Sequence, residues 1–508
     1  MIQTSDNHKS IAKNTLFMYI RMVITMAITL YTSRVILATL GVEDYGIYNM
    51  IASLIVLFSF IKGALSSATQ RYLNISLGRN DFVRLKNIFQ TSLSVHFIIS
   101  CFAFIIGELL CYFLVFKILS LPDGRQNAAF WVYQFSLLVF CSGLMRCPFE
   151  AVIIAHENFN FYAYLGILES VCKLLIVFVL QVVEFDKLIL YAILFFLTDF
   201  IYLLIFGYYG RKSFSECRIG FKLEKSLGRE FLVFSGWSMF GNISYLIASS
   251  GINLLFNLFY GVVVNAAYGV ANQVNNALNN LIVGFKTAYV PQITKKYAQA
   301  KWEDLYELIF QTSKIGLLLF IVPATIIIVN IDAVLSLWLV EVPPHTGSFC
   351  VVILLCTLVD SFTNPYFYSI QATGNIKSYQ IATSLSFLLD VVISFCFVIY
   401  KVNIDLIFWS RFLTRGILNM FIGWYFMKKR INFPVSKYIL KCFVPICLYC
   451  LFVIVTAQFL YNQLTLLGLK FIVTSAYIVF VSVIGGYIIL SSKERKFVQQ
   501  LIKSRVKR

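Results

Sequence analysis

Apolar runs of about 20 residues, each long enough to cross roughly 30 Å of hydrocarbon as a helix, recur from end to end of this chain. They fall at roughly 12–37, 45–69, 89–115, 129–154, 161–183, 188–209, 231–258, 265–290, 307–329, 349–371, 379–400, 404–427, 438–459 and 466–490. The runs are continuous rather than alternating, which selects helices over a barrel, because a helix satisfies its own backbone groups in lipid. The expected fold is therefore an all-α polytopic membrane protein of about fourteen spans, with no stretch left over for a soluble domain.

With 59% hydrophobic and only 13% charged residues, the chain is too apolar for a soluble protein of ordinary composition. Its net charge of +18 does not imply nucleic acid, because the Lys and Arg residues form no stripe with interleaved aromatics. They gather instead in short segments on one side of the spans: Lys9 and Lys13, the loops around Arg79, Lys222, Lys296, Lys377 and Lys429, and the tail from Lys493 to Arg508. The other side holds Lys117, Arg125, Lys187 and Lys401. The basic side is expected to be cytoplasmic and to carry both termini. The first span, preceded by Lys9 and Lys13 and lacking a small-residue cleavage site, reads as an uncleaved helix. The twelve cysteines lie mostly in apolar runs, and Cys447 and Cys450 have no second pair or His to complete a metal site. The four histidines are scattered, so neither a metal nor another cofactor is expected.

The chain repeats itself. Ile88-Phe89-Gln90-Thr91-Ser92 recurs as Ile309-Phe310-Gln311-Thr312-Ser313, and Ile61 and Gly63 match Ile282 and Gly284 at the same offset. Pro148, Ala155, Asn158 and Tyr162 match Pro365, Ala372, Asn375 and Tyr379, and Phe196-Leu197-Thr198 matches Phe412-Leu413-Thr414. Gly207, Tyr209 and Lys212 follow against Gly423, Tyr425 and Lys428. Six spans separate the copies, an even number, so both insert the same way up. This divides the chain into a six-helix half at 1–215, a second at 216–430, and a final helix pair with its basic tail at 431–508.

Related transporter halves generally line a substrate cavity with polar helix faces, and the eighth span carries such a face. Asn265, Asn272, Gln273, Asn275, Asn276, Asn279 and Asn280 recur at helical spacing, more amides than lipid tails tolerate unpaired. Asn272, Asn276 and Asn279 are the lining candidates, and helix-to-helix hydrogen bonding is the competing explanation. Intramembrane charges are the second signal, since such residues normally face protein or water. Lys62, Arg146, Glu150 and Lys286 lie toward the cytoplasmic ends, Arg34 and Glu108 toward the far end, and Glu169 with Lys173 reads as an i,i+4 pair. Arg21, Asp199, Asp390 and Arg415 lie deeper, and Asp360 and Arg411 also fall inside spans. The duplication sets Lys173 against Asp390 and Asp199 against Arg415 with reversed sign, which suggests pairing across the repeat.

Two stretches carry a resemblance: Ser33-Arg34-Val35-Ile36-Leu37 continuing through Leu40-Gly41-Val42-Glu43-Asp44-Tyr45-Gly46-Ile47-Tyr48-Asn49, and Phe234-Ser235-Gly236-Trp237-Ser238 continuing through Gly241-Asn242. With the duplicated architecture, they make the chain similar to the polysaccharide exporters and O-antigen or capsule flippases of the multidrug/oligosaccharidyl-lipid/polysaccharide superfamily. The resemblance implies a transporter of the bacterial inner membrane, not an enzyme, flipping an undecaprenyl-diphosphate-linked oligosaccharide by alternating access. It implies membrane lipid and a coupling H+ or Na+ as partners. Arg21, Arg34, Arg411 and Arg415 are then candidates for the diphosphate, because guanidinium groups offer forked donors. Lys173, Asp199, Asp360 and Asp390 are candidates for coupling or ion pairing. A drug antiporter of the same superfamily is the alternative, although an acidic cavity would be expected there. A polysaccharide polymerase would need a larger external loop than the longest one here, roughly 330–348. A fourteen-span major facilitator would need more Gly and Arg after Leu77-Gly78-Arg79-Asn80-Asp81.

Overall fold

A computed structural model describes residues 2–489 and 495, apart from 57, 114, 117–123, 219, 221, 223, 340 and 465–466. Lys117 and the basic tail, save Arg495, lie outside the described residues. Helices in order are α1 (Ile2–Val56), α2 (Ser59–Gly78), α3 (Phe82–Phe113), α4 (Gln126–Ala155), α5 (Phe159–Val182), α6 (Lys187–Ser213), α7 (Lys225–Ala298) and α8 (Trp302–Val329). They continue as α9 (Ile331–Trp338), α10 (Thr346–Thr373), α11 (Lys377–Ile399), α12 (Ile404–Arg411) and α13 (Asn419–Ile431). The last are α14 (Val435–Tyr438), α15 (Val444–Gln463) and α16 (Leu467–Ile489). Among the described residues there is no strand.

The expected spans reappear as rods. Gly41 breaks α1 and Gly261 breaks α7, while π-helical turns at Phe412–Leu418 and Ile439–Phe443 join shorter helices into continuous rods. Eleven helices among the described residues are long and apolar enough to cross a membrane, so the chain is a multi-pass membrane protein. The second, eighth and twelfth rods, at 42–56 with 59–78, 262–298 and 404–431, are not among them. Each departs from a plain apolar helix for a visible reason. The second carries Ser66, Ser67, Thr69, Gln70 and Arg71, the eighth carries the amides, and the twelfth carries Arg411 and Arg415 around its π-helical turn.

Contacts gather the chain into two units, 14–242 and 243–508, the latter with 1–13. In the first, Tyr72 stacks on Phe231 at 6.0 Å and meets Phe234 edge-on, and His96 packs against Phe231, so the opening turns of α7 belong with α2 and α3. Its core includes Ile36, Ile176, Val177, Leu180 and Tyr191. The segment after α6 straps back onto this unit: Phe214 stacks on His156 at 4.4 Å, and His156 Nε2 lies 2.5 Å from Glu216. Burial pushes the Glu216 carboxyl up, but the His156 hydrogen bond and its own backbone outweigh this and hold it below its ordinary value. In the second unit Phe256, Phe349 and Phe408 stack in the core, the last two at 3.7 Å, with Tyr268 edge-on to Phe408.

Duplication is written in the backbone as well as the side chains. Gly41 has φ 80° and ψ 170°, and Gly261 has φ 81° and ψ −178°. Asn80 and Ala300 both take the left-handed conformation, at φ 55° and 54°, and so do Glu157 and Gly374. The N-cap of α4, Arg125, grips Asp44 and also reaches Asp186 at 2.6 Å, while Asp186 caps α6. The N-cap of α10, His345, lies 3.3 Å from Asp405, beside the Asn403 that caps α12.

The angles at Gly261 fall in a region nearly closed to residues with a side chain, and no atom lies within 4 Å of where a Cβ would stand. Gly261→Ala is therefore expected to destabilise the protein by about 1–3 kcal/mol through backbone strain alone. Gly269→Ala, in equally open space inside a regular helix, should be neutral or slightly stabilising. Thermal unfolding in detergent separates them, and equal effects would remove the backbone constraint at Gly261.

Candidate functional site

Charges from five helix segments meet inside the first unit. Arg146 on α4 is the hub: it donates to Asp199 of α6 at 2.9 Å and pairs one turn along with Glu150 at 2.7 Å. Both Arg146 and Asp199 are only 8% exposed. Ser142, one turn before Arg146, donates to the other oxygen of Asp199. On α5, Glu169 and Lys173 make their i,i+4 pair at 2.8 Å, and the Lys173 ammonium sits 4.8 Å from the Phe195 ring centre. Arg21 of α1 lies over the Tyr162 ring at 4.4 Å, and crosses Gly166 so closely that a Cβ there would collide with it. The Lys62 ammonium of α2 lies beside Gly143. Arg34 is exposed on α1 and makes no ion pair among the described residues.

The second unit builds a counterpart around the π-helical turn, a widening of the helix that often marks a functional site. Arg411, 4% exposed, donates to Asp390, 2% exposed, at 3.2 Å, and the Thr414 hydroxyl donates to the same carboxylate at 2.9 Å. Arg415 donates to the Tyr245 hydroxyl at 2.8 Å. Asp360 lies within electrostatic reach of Arg415 and Lys286. Tyr268 hydrogen-bonds Arg411 and Asn272, tying the eighth rod to the twelfth. Arg411 and Arg415 share a small cavity with Cys356, Thr357 and Phe408.

One contact is made twice with different chemistry. Phe195 and Arg411 are equivalent in the repeat, as are Lys173 and Asp390, so a cation on an aromatic ring in one unit is an ion pair in the other. The sign reversals seen in the sequence thus find their partners locally. Lys173 holds Glu169, Asp390 holds Arg411, Asp199 holds Arg146, and Arg415 holds Tyr245.

The amide stripe takes the opposite side of its helix from the packing residues. Ala267, Tyr268, Ala271, Val274, Leu278 and Ile282 point into the apolar core of their own unit. Gln273, Asn276, Asn279 and Asn280 are exposed, and Asn272 is half-buried. Of the inner amides, Asn275 accepts from Thr357. The stripe therefore contributes little glue within its unit, which is held by the apolar face instead.

In the sequence Arg146 reads as an end-of-span residue, whereas the structure makes it the hub. Its signal was present, with Ser142 and Glu150 one turn away on either side, but its main partner lies 53 positions along the chain. Tyr245, Tyr268 and Thr414 gave no signal, because a hydroxyl becomes a ligand only when folding sets it beside a charge.

Removing one partner of a buried pair is expected to destabilise by about 3–5 kcal/mol, because the remaining charge stays desolvated. Arg146→Met, which strands Asp199 and Glu150, should show a loss of that order in thermal unfolding. Adding Asp199→Leu should recover part of it in a double-mutant cycle. Purely additive losses would mean that the two groups are not energetically coupled.

Residues 237–396 match the family model described as MatE. No curated protein matches the chain. Among solved structures, a multidrug resistance MATE family transporter of the MOP superfamily in an outward-facing conformation superposes with TM-score 0.72 at 16% identity, covering 84% of this chain and 96% of that one. A MOP superfamily transporter from Pyrococcus furiosus, described as having a binding pocket of reverse polarity that suggests a different function, gives 0.69 at 15%, covering 83% and 96%. A MATE structure in the straight conformation gives 0.68 at 17%, covering 84% and 96%. The chain has the fold of the MATE transporters of the MOP superfamily.

Proposed function

We propose that this chain carries an anionic, sugar-bearing lipid of the undecaprenyl-diphosphate-linked oligosaccharide class across a bacterial inner membrane by alternating access, for O-antigen, capsule or another surface polysaccharide. One observation carries the reading: each charge cluster holds one cation more than it has carboxylates. In the first unit Arg21, Lys62, Arg146 and Lys173 stand against Glu150, Glu169 and Asp199. In the second, Lys286, Arg411 and Arg415 stand against Asp360 and Asp390. An unmatched cation in a low-dielectric site favours an anionic ligand, and guanidinium groups fit phosphate oxygens with paired donors. The outward amides Asn276 and Asn279, with the half-buried Asn272 beside them, supply donors and acceptors for hydroxyl-rich sugars, while a polyprenyl tail stays in the bilayer.

Coupling follows from the same pairs. Protonation of Asp199 or Asp390, or Na+ taken up there, releases Arg146 or Arg411 from its carboxylate and raises the positive charge offered to a diphosphate. Asp360 and the Lys173–Glu169 pair adjust the field around these groups. The basic side of the chain, with both termini, faces the cytoplasm in this reading.

The second reading is a cation-coupled drug or small-molecule antiporter, supported by the fold shared with a multidrug transporter. The two readings demand opposite free charge, and one experiment separates them. Cells lacking the protein should accumulate lipid-linked oligosaccharide on the cytoplasmic leaflet. Complementation should fail with Asn272, Asn276 and Asn279 replaced by Leu, and fall about tenfold or more with Arg415→Gln, while both proteins reach the membrane. An unchanged lipid-linked pool, with lost efflux of cationic compounds, would replace the flippase by the antiporter.

A further inference from the structure

At the far end of the twelfth rod the chain leaves α13 at Ile431, turns through Asn432 in the left-handed conformation and Pro434, and re-enters an apolar span at Val435. The turn therefore sits at a bilayer boundary, at the end of the second unit where Lys428, Lys429, Arg430, Lys437 and Lys441 gather. A cleft of about 560 Å3 opens there. Its walls are aromatic, from Phe421, Trp424, Tyr425 and Phe433, and Lys428, Ser436 and Lys437 stand around it without any carboxylate among the lining residues. Both lysines are exposed, and so are Phe421 and Tyr425, at 54% and 58%.

The duplication supplies a comparison inside the same molecule. Tyr209 and Lys212 occupy in the first unit the positions of Tyr425 and Lys428. There the corner is filled by the chain itself. Phe161 stacks on Tyr209 at 3.5 Å, Asn158 donates to the Tyr209 hydroxyl at 2.5 Å, and Phe214 meets the ring edge-on. Cys217 from the strap then fits against Gly210. In the second unit the segment after α13 packs back through Phe433 onto Tyr306, Phe310 and Tyr366 before it enters the next span, but it leaves Tyr425 uncovered, so the equivalent corner stands open.

We propose that this cleft binds an anionic phospholipid of the surrounding leaflet, with its phosphate at Lys428 and Lys437 and its acyl chains along Phe421 and Tyr425. An aromatic wall at the depth of the interface suits the glycerol and upper acyl region, and lysines at the rim suit the phosphate. A zwitterionic headgroup carries its own ammonium against those lysines and binds less well. The site is separate from the buried clusters and independent of what the protein transports.

The test uses the full chain, delipidated in detergent, with thermal unfolding followed on addition of phosphatidylglycerol, phosphatidylcholine or inorganic phosphate. Phosphatidylglycerol should raise the unfolding temperature by about 3 °C, and the other two should not. Lys428→Gln with Lys437→Gln should lose the shift, and Ser436→Trp, which fills the cleft without removing charge, should lose it too. Arg211→Gln with Lys212→Gln, an equal charge loss at the closed corner, should keep it. An undiminished shift in the Lys428/Lys437 variant, or loss of the shift in the Arg211/Lys212 variant, overturns the site. An equal shift with phosphatidylcholine overturns the anionic preference, and one with inorganic phosphate alone overturns the lipid as its occupant.

Discussion

A charge placed among lipid-facing helices must find an opposite charge or a strong hydrogen bond, because hydrocarbon offers no water in exchange. Much of the interior of this protein follows from that requirement. Arg146 can sit 8% exposed on α4 because Asp199, Glu150 and the hydroxyl of Ser142 converge around it. Arg411 can be buried because Asp390 meets it and Thr414 satisfies the second oxygen of that carboxylate. Each network joins different helices, α4 with α6 in one case and α11 with α12 in the other, so the pairing that makes the charges tolerable also holds those helices in register.

The two units solve the same problem in different ways, and the differences are where the halves of the duplication have specialised. Glycine breaks at Gly41 and Gly261 share nearly the same backbone angles, and paired left-handed turns recur at Asn80 and Ala300. Side-chain chemistry diverges on that common frame. Lys173 rests on Phe195 where Asp390 grips Arg411, and Tyr209 is covered by Phe161 and Phe214 where the equivalent Tyr425 stands exposed. The rods that fail as plain apolar spans include the second and the eighth, which are equivalent in the repeat, and the twelfth. These are also the rods that carry Lys62 in the first unit and the amide stripe, Arg411 and Arg415 in the second.

In the coupling proposed above, a carboxylate held by an arginine acts as a switch with a built-in direction. While Asp199 or Asp390 is charged, its arginine is occupied. When the carboxylate is neutralised, the arginine is available to an anion. In the function proposed above, these same pairs would supply the free-energy difference on which coupled transport of an anionic lipid acts.

The apolar runs placed most of the rods and recurring peptides such as Ile88–Ser92 and Ile309–Ser313 placed the duplication, because both are local properties written directly in residue order. The Glu169–Lys173 pair was legible for the same reason, as a helix brings residues one turn apart together whatever surrounds it. The amide stripe was visible as a pattern, but its direction was not: only packing shows that Tyr268, Ala271 and Val274 face the core and leave Asn276 and Asn279 outside. The partners of the deep charges were beyond reach as well. Lys173 and Asp390 looked like a pair across the repeat, yet each is satisfied inside its own unit. Residue order determined that this protein is a duplicated membrane bundle carrying buried charges. Tertiary structure decided which charge meets which, because that depends on the rotation of each helix about its own axis, a quantity set by side-chain packing among all its neighbours.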